Sequence, residues 1–214
     1  MRMRSAFIAA SLLLTTTVCA DTVSFRKEVF HNDRVAAYLL EIPTQQTSTA
    51  RFEKDTMTVF LSGAHAGKTQ FKHAGALQTL RNDGADTLRA VVLELNEPQG
   101  EAISEALPVK RQCSEGSRTA CVEEKHLFCT KELCAEDVRM GPGATRSGFA
   151  SDAAQMIVAV SDYALSDALG GADSPEHARP TGQVEWIPAG AENRWTSSAK
   201  TPARFVLIRF SANR

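Results

Sequence analysis

Two stretches of this 214-residue chain repeat each other, and a repeat constrains architecture more tightly than any single motif. At a shift of 99 residues, Pro43, Ser48, Met57, Val59 and Ser62 meet Pro142, Ser147, Met156, Val158 and Ser161, and the acid Glu53 meets the acid Asp152. At a shift of 115, Gly67, Ala74, Gly75, Ala76, Arg89 and Val91 meet Gly182, Ala189, Gly190, Ala191, Arg204 and Val206. The change of shift places about 16 extra residues in the second unit, and 163–181 has the Gly, Ser, Pro and Asp content of a long loop.

Inside each unit the pattern is that of strands. The runs 57–61 and 156–160 are short, apolar and rich in β-branched residues, and each stops at turn residues (Ser62-Gly63 and Ser161-Asp162). Residues 184–187 partly alternate before Pro188-Ala189-Gly190, and 34–42 and 203–210 are further strand candidates. Helical periodicity is weak, strongest over 99–107 and 161–169. Many short strands joined by turns predict an antiparallel sandwich or barrel.

The turn residues carry a resemblance to a known family. Gly182-x5-Pro188-x-Gly190-x2-Asn193 is similar to the second motif of cupins, G-x5-P-x-G-x2-H-x3-N. Pro142-Gly143 followed by Asp152 and a strand resembles the surroundings of their first motif, H-x-H-x3-4-E-x6-G, and Gly67-x5-His73-x-Gly75-x2-Gln78 echoes the second motif again. The resemblance implies an all-β fold of two tandem cupin-type jelly-roll β-barrels packed back to back. Unit one would span 21–97 and unit two 135–214, with a cysteine-containing connecting segment over 98–134.

Cupin enzymes usually hold a divalent metal through three histidines and a glutamate. Carried over residue by residue with Glu53 as the acid, the histidine positions fall on Thr47, Thr49 and Gln78. With Asp152 as the acid they fall on Arg146, Gly148 and Asn193. No histidine occupies either set. One carboxylate with neutral oxygens is a poor site for a transition metal, and Arg146 would repel a cation. The expectation is therefore no metal and no other cofactor. His65 and His73 flank a turn and could approach each other, but no third ligand accompanies them. Ser62, Ser161 and Ser174 lack the strand–turn–helix setting of a nucleophile.

Export shapes the rest of the reading. Arg2 and Arg4, an apolar run over 6–14 and Val18-Cys19-Ala20 have the order of a cleavable signal peptide ending at residue 20. The apolar run is too short to span a bilayer, and Val18 and the absence of an upstream leucine disfavour lipid attachment at Cys19. The expected address is periplasmic or secreted, with no membrane span. Losing two arginines leaves 22 basic against 25 acidic side chains, which gives no reason to expect nucleic acid as partner. Cys113, Cys121, Cys129 and Cys134 then form an even set within 22 residues. In an oxidising compartment they predict two disulfides, in one of three pairings, with a zinc site as the rival reading.

Small barrels either fill with side chains or hold one small ligand. Arg146, Asp152 and Asn193 in unit two, and Thr47, Thr49, Glu53 and Gln78 in unit one, are the candidate pocket residues. An arginine and amides there suit a carboxylate or sugar hydroxyls, with Trp186 and Trp195 nearby. The functional expectation is a metal-free, non-catalytic binding protein for a small molecule or a protein partner, and further assembly of chains is compatible with it. The alternative is an isomerase- or oxygenase-type cupin enzyme with displaced metal ligands. Interiors filled by Phe60, Met57, Met156 and Ile208 would instead mark a purely structural role.

Overall fold

A computed structural model describes residues 25–103, 108–146, 152–167, 175–191, 194–198 and 200–211. The first unit contributes β1 (Phe25–His31), β2 (Val35–Ile42), β3 (Thr47–Arg51), β4 (Asp55–Phe60), β5 (Thr69–Lys72), β6 (Leu77–Arg81) and β7 (Leu88–Leu95), with one 3-10 turn at Gly63–His65. They form a five-stranded antiparallel sheet in the order β1-β2-β7-β4-β5, facing a two-stranded sheet of β3 and β6. The second unit contributes β8 (Lys110–Cys113), β9 (Cys121–Cys129), β10 (Leu133–Met140), β11 (Thr145–Arg146), β12 (Gln155–Ala159), β13 (Tyr163–Asp167), β14 (Glu176–Arg179), β15 (Val184–Ile187), β16 (Trp195–Ser197) and β17 (Ala203–Phe210). Its sheets run β15-β12-β17-β10-β9-β8 and β11-β16-β13-β14. Each unit is a sandwich of two sheets, so the expected barrels have the jelly-roll order without closing through continuous backbone pairing.

The repeat is visible in the pairing. In unit one β7 lies between β2 and β4, and in unit two β17 lies between β10 and β12, each with matching register. The insertion over 163–181 folds as the hairpin β13–β14 rather than as a bare loop, and β13 also pairs with β16. The helical periodicity near 161–169 resolves into this strand. Tyr163 and Leu165 are buried while the alternate residues Ala164 and Ser166 are partly exposed, a period of two.

The segment 98–134, expected as a connector, supplies β8 and β9 to the second unit's sheet. Both disulfides link directly opposed residues there: Cys113 pairs with Cys121 across β8 and β9, and Cys129 with Cys134 across β9 and β10. Each closes a short loop, which in chain-entropy terms stabilises the fold by about 2–3 kcal/mol.

The two large sheets pack face to face. Val35, Ala37, Met57, Val59, Val91, Leu93 and Leu95 meet Ala135, Met156, Val158, Val206, Ile208 and Phe210 in one continuous core. The alternate residues of these strands face their own unit's interior. The central strands are therefore buried on both faces, which explains runs such as Ala90-Val91-Val92-Leu93 that show no polar alternation.

The repeated arginines cross between units instead of closing their own turns. The Arg204 guanidinium donates to the Ala66 carbonyl at 2.9 Å and to both Asp137 carboxylate oxygens at 3.0 and 2.9 Å. Reciprocally, Arg89 donates to the Thr181 carbonyl at 3.5 Å, and its Nε lies 3.2 Å from Glu41 Oε1 without hydrogen-bond alignment. Ala66 and Arg89 are equivalent to Thr181 and Arg204 at the shift of 115, so the contact is isologous, as in a two-fold dimer. Gly67 and Gly182 sit beside these arginines at φ +77° and +88°, and a Cβ on Gly67 would fall 2.1 Å from Arg204 Nη2.

Candidate functional site

The interiors of the two units differ. In unit two the space between the sheets is filled by Val138, Met140, Ile157, Tyr163, Leu165, Trp195, Phe205 and Leu207. Phe205 is fully buried, with Tyr163 tilted against it at 5.7 Å and Trp195 edge-on at 5.9 Å. In unit one the matching positions are smaller. Thr58 stands where unit two has Ile157, Ala90 where it has Phe205, and Val92 where it has Leu207. Phe60 of unit one lies on the neighbouring strand opposite Ala90 and is partly exposed.

One of these smaller positions, Val92, borders a cavity lined also by Arg26, Tyr38, Leu40, Ser48, Ala50, Phe52, Gln78 and Leu80. It offers about 50 Å³ to the centres of water-sized groups, room for roughly three or four of them. Leu40, Leu80, Val92 and Phe52 make most of the wall apolar. Gln78 is 3 % exposed, and its Nε2 donates to Thr58 Oγ1, leaving Oε1 with no partner. Turning the amide over would let the Thr58 hydroxyl donate to Oε1 and would strand Nε2 instead. Either way, one polar atom of a buried amide at the cavity wall is left without a partner. Arg26 also lines the cavity. Its guanidinium lies 3.6 Å from the Tyr38 ring centre and 5.2 Å from that of Phe52, and it pairs with Glu94.

The strands explain this lining. On β3 the residues alternate: Ser48 is buried and Ala50 half-buried, whereas Thr49 and Arg51 are exposed. Thr47 is half-buried and outside the lining, and Thr49 Oγ1 faces Thr79 Oγ1 at 3.4 Å on the surface. Glu53 is exposed. The sequence-predicted set of unit one therefore reduces to Gln78 at the cavity. A shift of one residue along a strand exchanges its faces, so the inward positions are 48 and 50. The turn before β3 shows the same offset. Gln46 N–H donates to the Pro43 carbonyl and Ala144 N–H to the Gly141 carbonyl, a shift of 98 rather than 99.

In unit two Arg146 is 8 % exposed, with its Nε 2.7 Å from Glu124 Oε1 and its guanidinium 5.5 Å from the Trp195 ring centre. Its charge is thus already matched from β9. Asp152 is exposed, and Asn193 and Gly148 lie outside the described residues. Trp186 belongs to the layer between units, 6.1 Å from Phe30 and 5.2 Å from Phe210, as do Met57, Met156 and Ile208. His65 packs on Phe60, and His73 reaches Asp55 with Nδ1 at 3.6 Å, so the two histidines serve different partners. Buried Asp55 accepts the backbone N–H groups of Ala74 and Gln99.

A divalent metal does not suit this cavity. The polar groups of its lining are a guanidinium, two hydroxyls and an amide, and among the described residues no three His, Cys, Asp or Glu side chains gather as ligands. Arg26, Tyr38, Ser48 and Phe52 carry no motif. Only the inward alternation of β3 announces part of the set beforehand.

No protein-family model matches the chain, and no curated protein sequence matches it significantly. Solved structures do match in shape. AerE from Microcystis aeruginosa superposes with a TM-score of 0.58 at 9 % identity, over 90 % of this chain and 100 % of that one. Procruciferin, an 11S globulin from Brassica napus, gives 0.58 at 11 % identity, over 91 % and 86 %. A cupin 2 conserved barrel domain protein from Leptotrichia buccalis gives 0.51 at 13 % identity, over 90 % of each chain. At such identities the likeness speaks to fold alone. Together with the strand order, it shows that this chain has the cupin fold, built twice in tandem.

Proposed function

We propose that the protein is an exported, metal-free bicupin that binds one small molecule, without turning it over, in the cavity of its N-terminal unit. The observation that carries this reading is the unpaired amide atom of Gln78 in a mostly apolar cavity with Arg26 in its wall. The chemistry suits a compact guest with a short apolar body and a carboxylate or hydroxyl end. The cavity lining offers no carboxylate or imidazole to take a proton, which favours binding over the alternative of an isomerase- or oxygenase-type enzyme. Two disulfides support an oxidising compartment, and no helix among the described residues is long and apolar enough to cross a membrane.

The test is a titration of the isotope-labelled protein with short-chain monocarboxylates and small diols, following the Gln78 side-chain amide by NMR. The expected outcome is saturable movement of that signal. Gln78→Leu should weaken binding about tenfold, the loss of one buried hydrogen bond. Stoichiometric iron, manganese, nickel or zinc in the purified protein would overturn the reading, as would an amide signal unmoved by every probe.

A further inference from the structure

A second, larger recess lies outside the inner cavity. It is bounded by the end of β4 and the 3-10 turn (Phe60, His65), by β5 (Thr69, Gln70) and by β6 with the turn after it (Thr79 to Gly84). Its volume of about 600 Å³ falls within the range of small-molecule sites, and it shares only Leu80 with the inner cavity. The recess exists because β5 is the edge strand of the five-stranded sheet and is not hydrogen-bonded to β6, so the sandwich stays open along that side.

The walls combine three kinds of group. Phe60 is partly exposed, with the His65 ring tilted against it at 5.7 Å, and together they give an aromatic surface. Gln70 presents an amide, whereas the Thr79 hydroxyl already faces Thr49 Oγ1 at 3.4 Å. Asn82 adds no second amide, because its side chain is committed to the carbonyls of Ile42 and Asp86 and to the Gly84 N–H. Lys68 is exposed and makes no ion pair among the described residues, whereas Arg81 is matched by Asp83 at 2.6 Å. The recess therefore carries a net positive charge on a chain whose overall charge is −1.

A ring face to stack on, a neutral amide beside it and one unmatched cation describe a particular guest. A pyranose offers C–H faces to aromatic rings and hydroxyls to amides, and a carboxylate on that sugar would answer Lys68. We infer that this recess is a second ligand site, distinct from the inner cavity, and that it takes an anionic saccharide of the uronic acid class. Phe60 and His65 form the platform, Gln70 holds hydroxyls, and Lys68 selects for the carboxylate.

The probe is a trimer of galacturonic acid titrated into the full chain by heteronuclear NMR, with its methyl-esterified form as the neutral counterpart. The acid should shift signals of residues 63–70 and 79–84 and leave the Gln78 side-chain amide in place. The ester should bind about two- to fivefold more weakly, the weight of one exposed ion pair. Lys68→Gln, an exposed change that leaves the fold intact, should remove that difference while retaining the weaker binding. Equal affinity for acid and ester, shifts confined to the inner cavity, or no shifts with the acid would each overturn the assignment. An inner cavity silent to the monocarboxylates and diols, alongside a recess that responds to the trimer, would count against the function proposed above and not against this site.

Discussion

Gln45 is the sole residue other than glycine with a positive φ among the described residues, at +60°, and its counterpart in the second unit is Gly143 at +71°. Both occupy the third position of the same turn, closed by Gln46 N–H to Pro43 O and by Ala144 N–H to Gly141 O. A side chain in the left-handed region costs about 1–2 kcal/mol, while glycine loses about 0.5–1 kcal/mol through the freedom of the unfolded chain. The balance favours glycine, so Gln45→Gly should raise stability by up to about 1 kcal/mol, measured as a higher urea midpoint. A lower midpoint would mean that the Gln45 side chain contributes contacts that outweigh its backbone strain. The turn also shows where residue-level reading of the sequence went off by one. Aligning Pro43 with Pro142 matched two prolines, whereas the hydrogen bonds align Pro43 with Gly141. Gln78 survived because it is placed by glycines that the turns demand: Gly75 and its counterpart Gly190 both lie at positive φ. Arg26 and Tyr38 were illegible because they reach the cavity through the pairing of β1 with β2, a long-range fact no local motif encodes.

Among the elements, the strands were readable from their apolar runs and the hairpin β13–β14 was not. Its two strands are short, and the burial of β13 depends on β16, which lies some thirty residues away in the sequence. The cysteine-bearing segment was read correctly as stapled, but its pairing needed the register of β8, β9 and β10. One further tie holds this region. Glu132, in the turn between β9 and β10, accepts the Gly100 N–H at 2.9 Å and so fastens the chain leaving unit one to that hairpin. The same hydrogen bond holds the Glu132 carboxyl below its ordinary value of 4.5. The folded state thus binds this proton less readily than the unfolded chain does. The stabilisation is present above about pH 4.5 and lost as the pH falls through the depressed folded value. In urea titrations, Glu132→Gln should trail the wild type near neutrality, and the gap should close as the pH falls through the depressed folded value. A gap that stays constant with pH would show that the carboxylate's charge contributes nothing to the tie.

At the scale of the whole molecule, the reciprocal arginines and the shared core make the chain a dimer of its own halves. Leu61 joins Val35, Ala37, Met57, Val59, Val91, Leu93 and Leu95 on the face that unit one turns towards unit two, and none of the eight is more than 5 % exposed. Uncovering a large aliphatic side chain costs about 1.5–3 kcal/mol, so removing the partner forfeits on the order of 10 kcal/mol. That is comparable with the entire stability of a small domain. Unit one also brings few resources of its own, since the cluster on its inner side is limited to Leu40, Ile42, Leu80 and Val92 with their neighbours, and it has no disulfide. A fragment of residues 25–97 should therefore not fold as a monomer. The face it exposes has, however, already evolved to meet a near copy of itself across a two-fold contact, so two fragments can replace the missing half. The expected behaviour is an unfolded chain at low concentration and a folded dimer at high concentration, with a melting temperature that rises with protein concentration. Thermal scans over a hundredfold dilution, paired with sedimentation equilibrium, provide the measurement. A fragment that melts cooperatively as a monomer at an unchanging temperature would mean that the inner sandwich, and not the layer between the units, holds each half together.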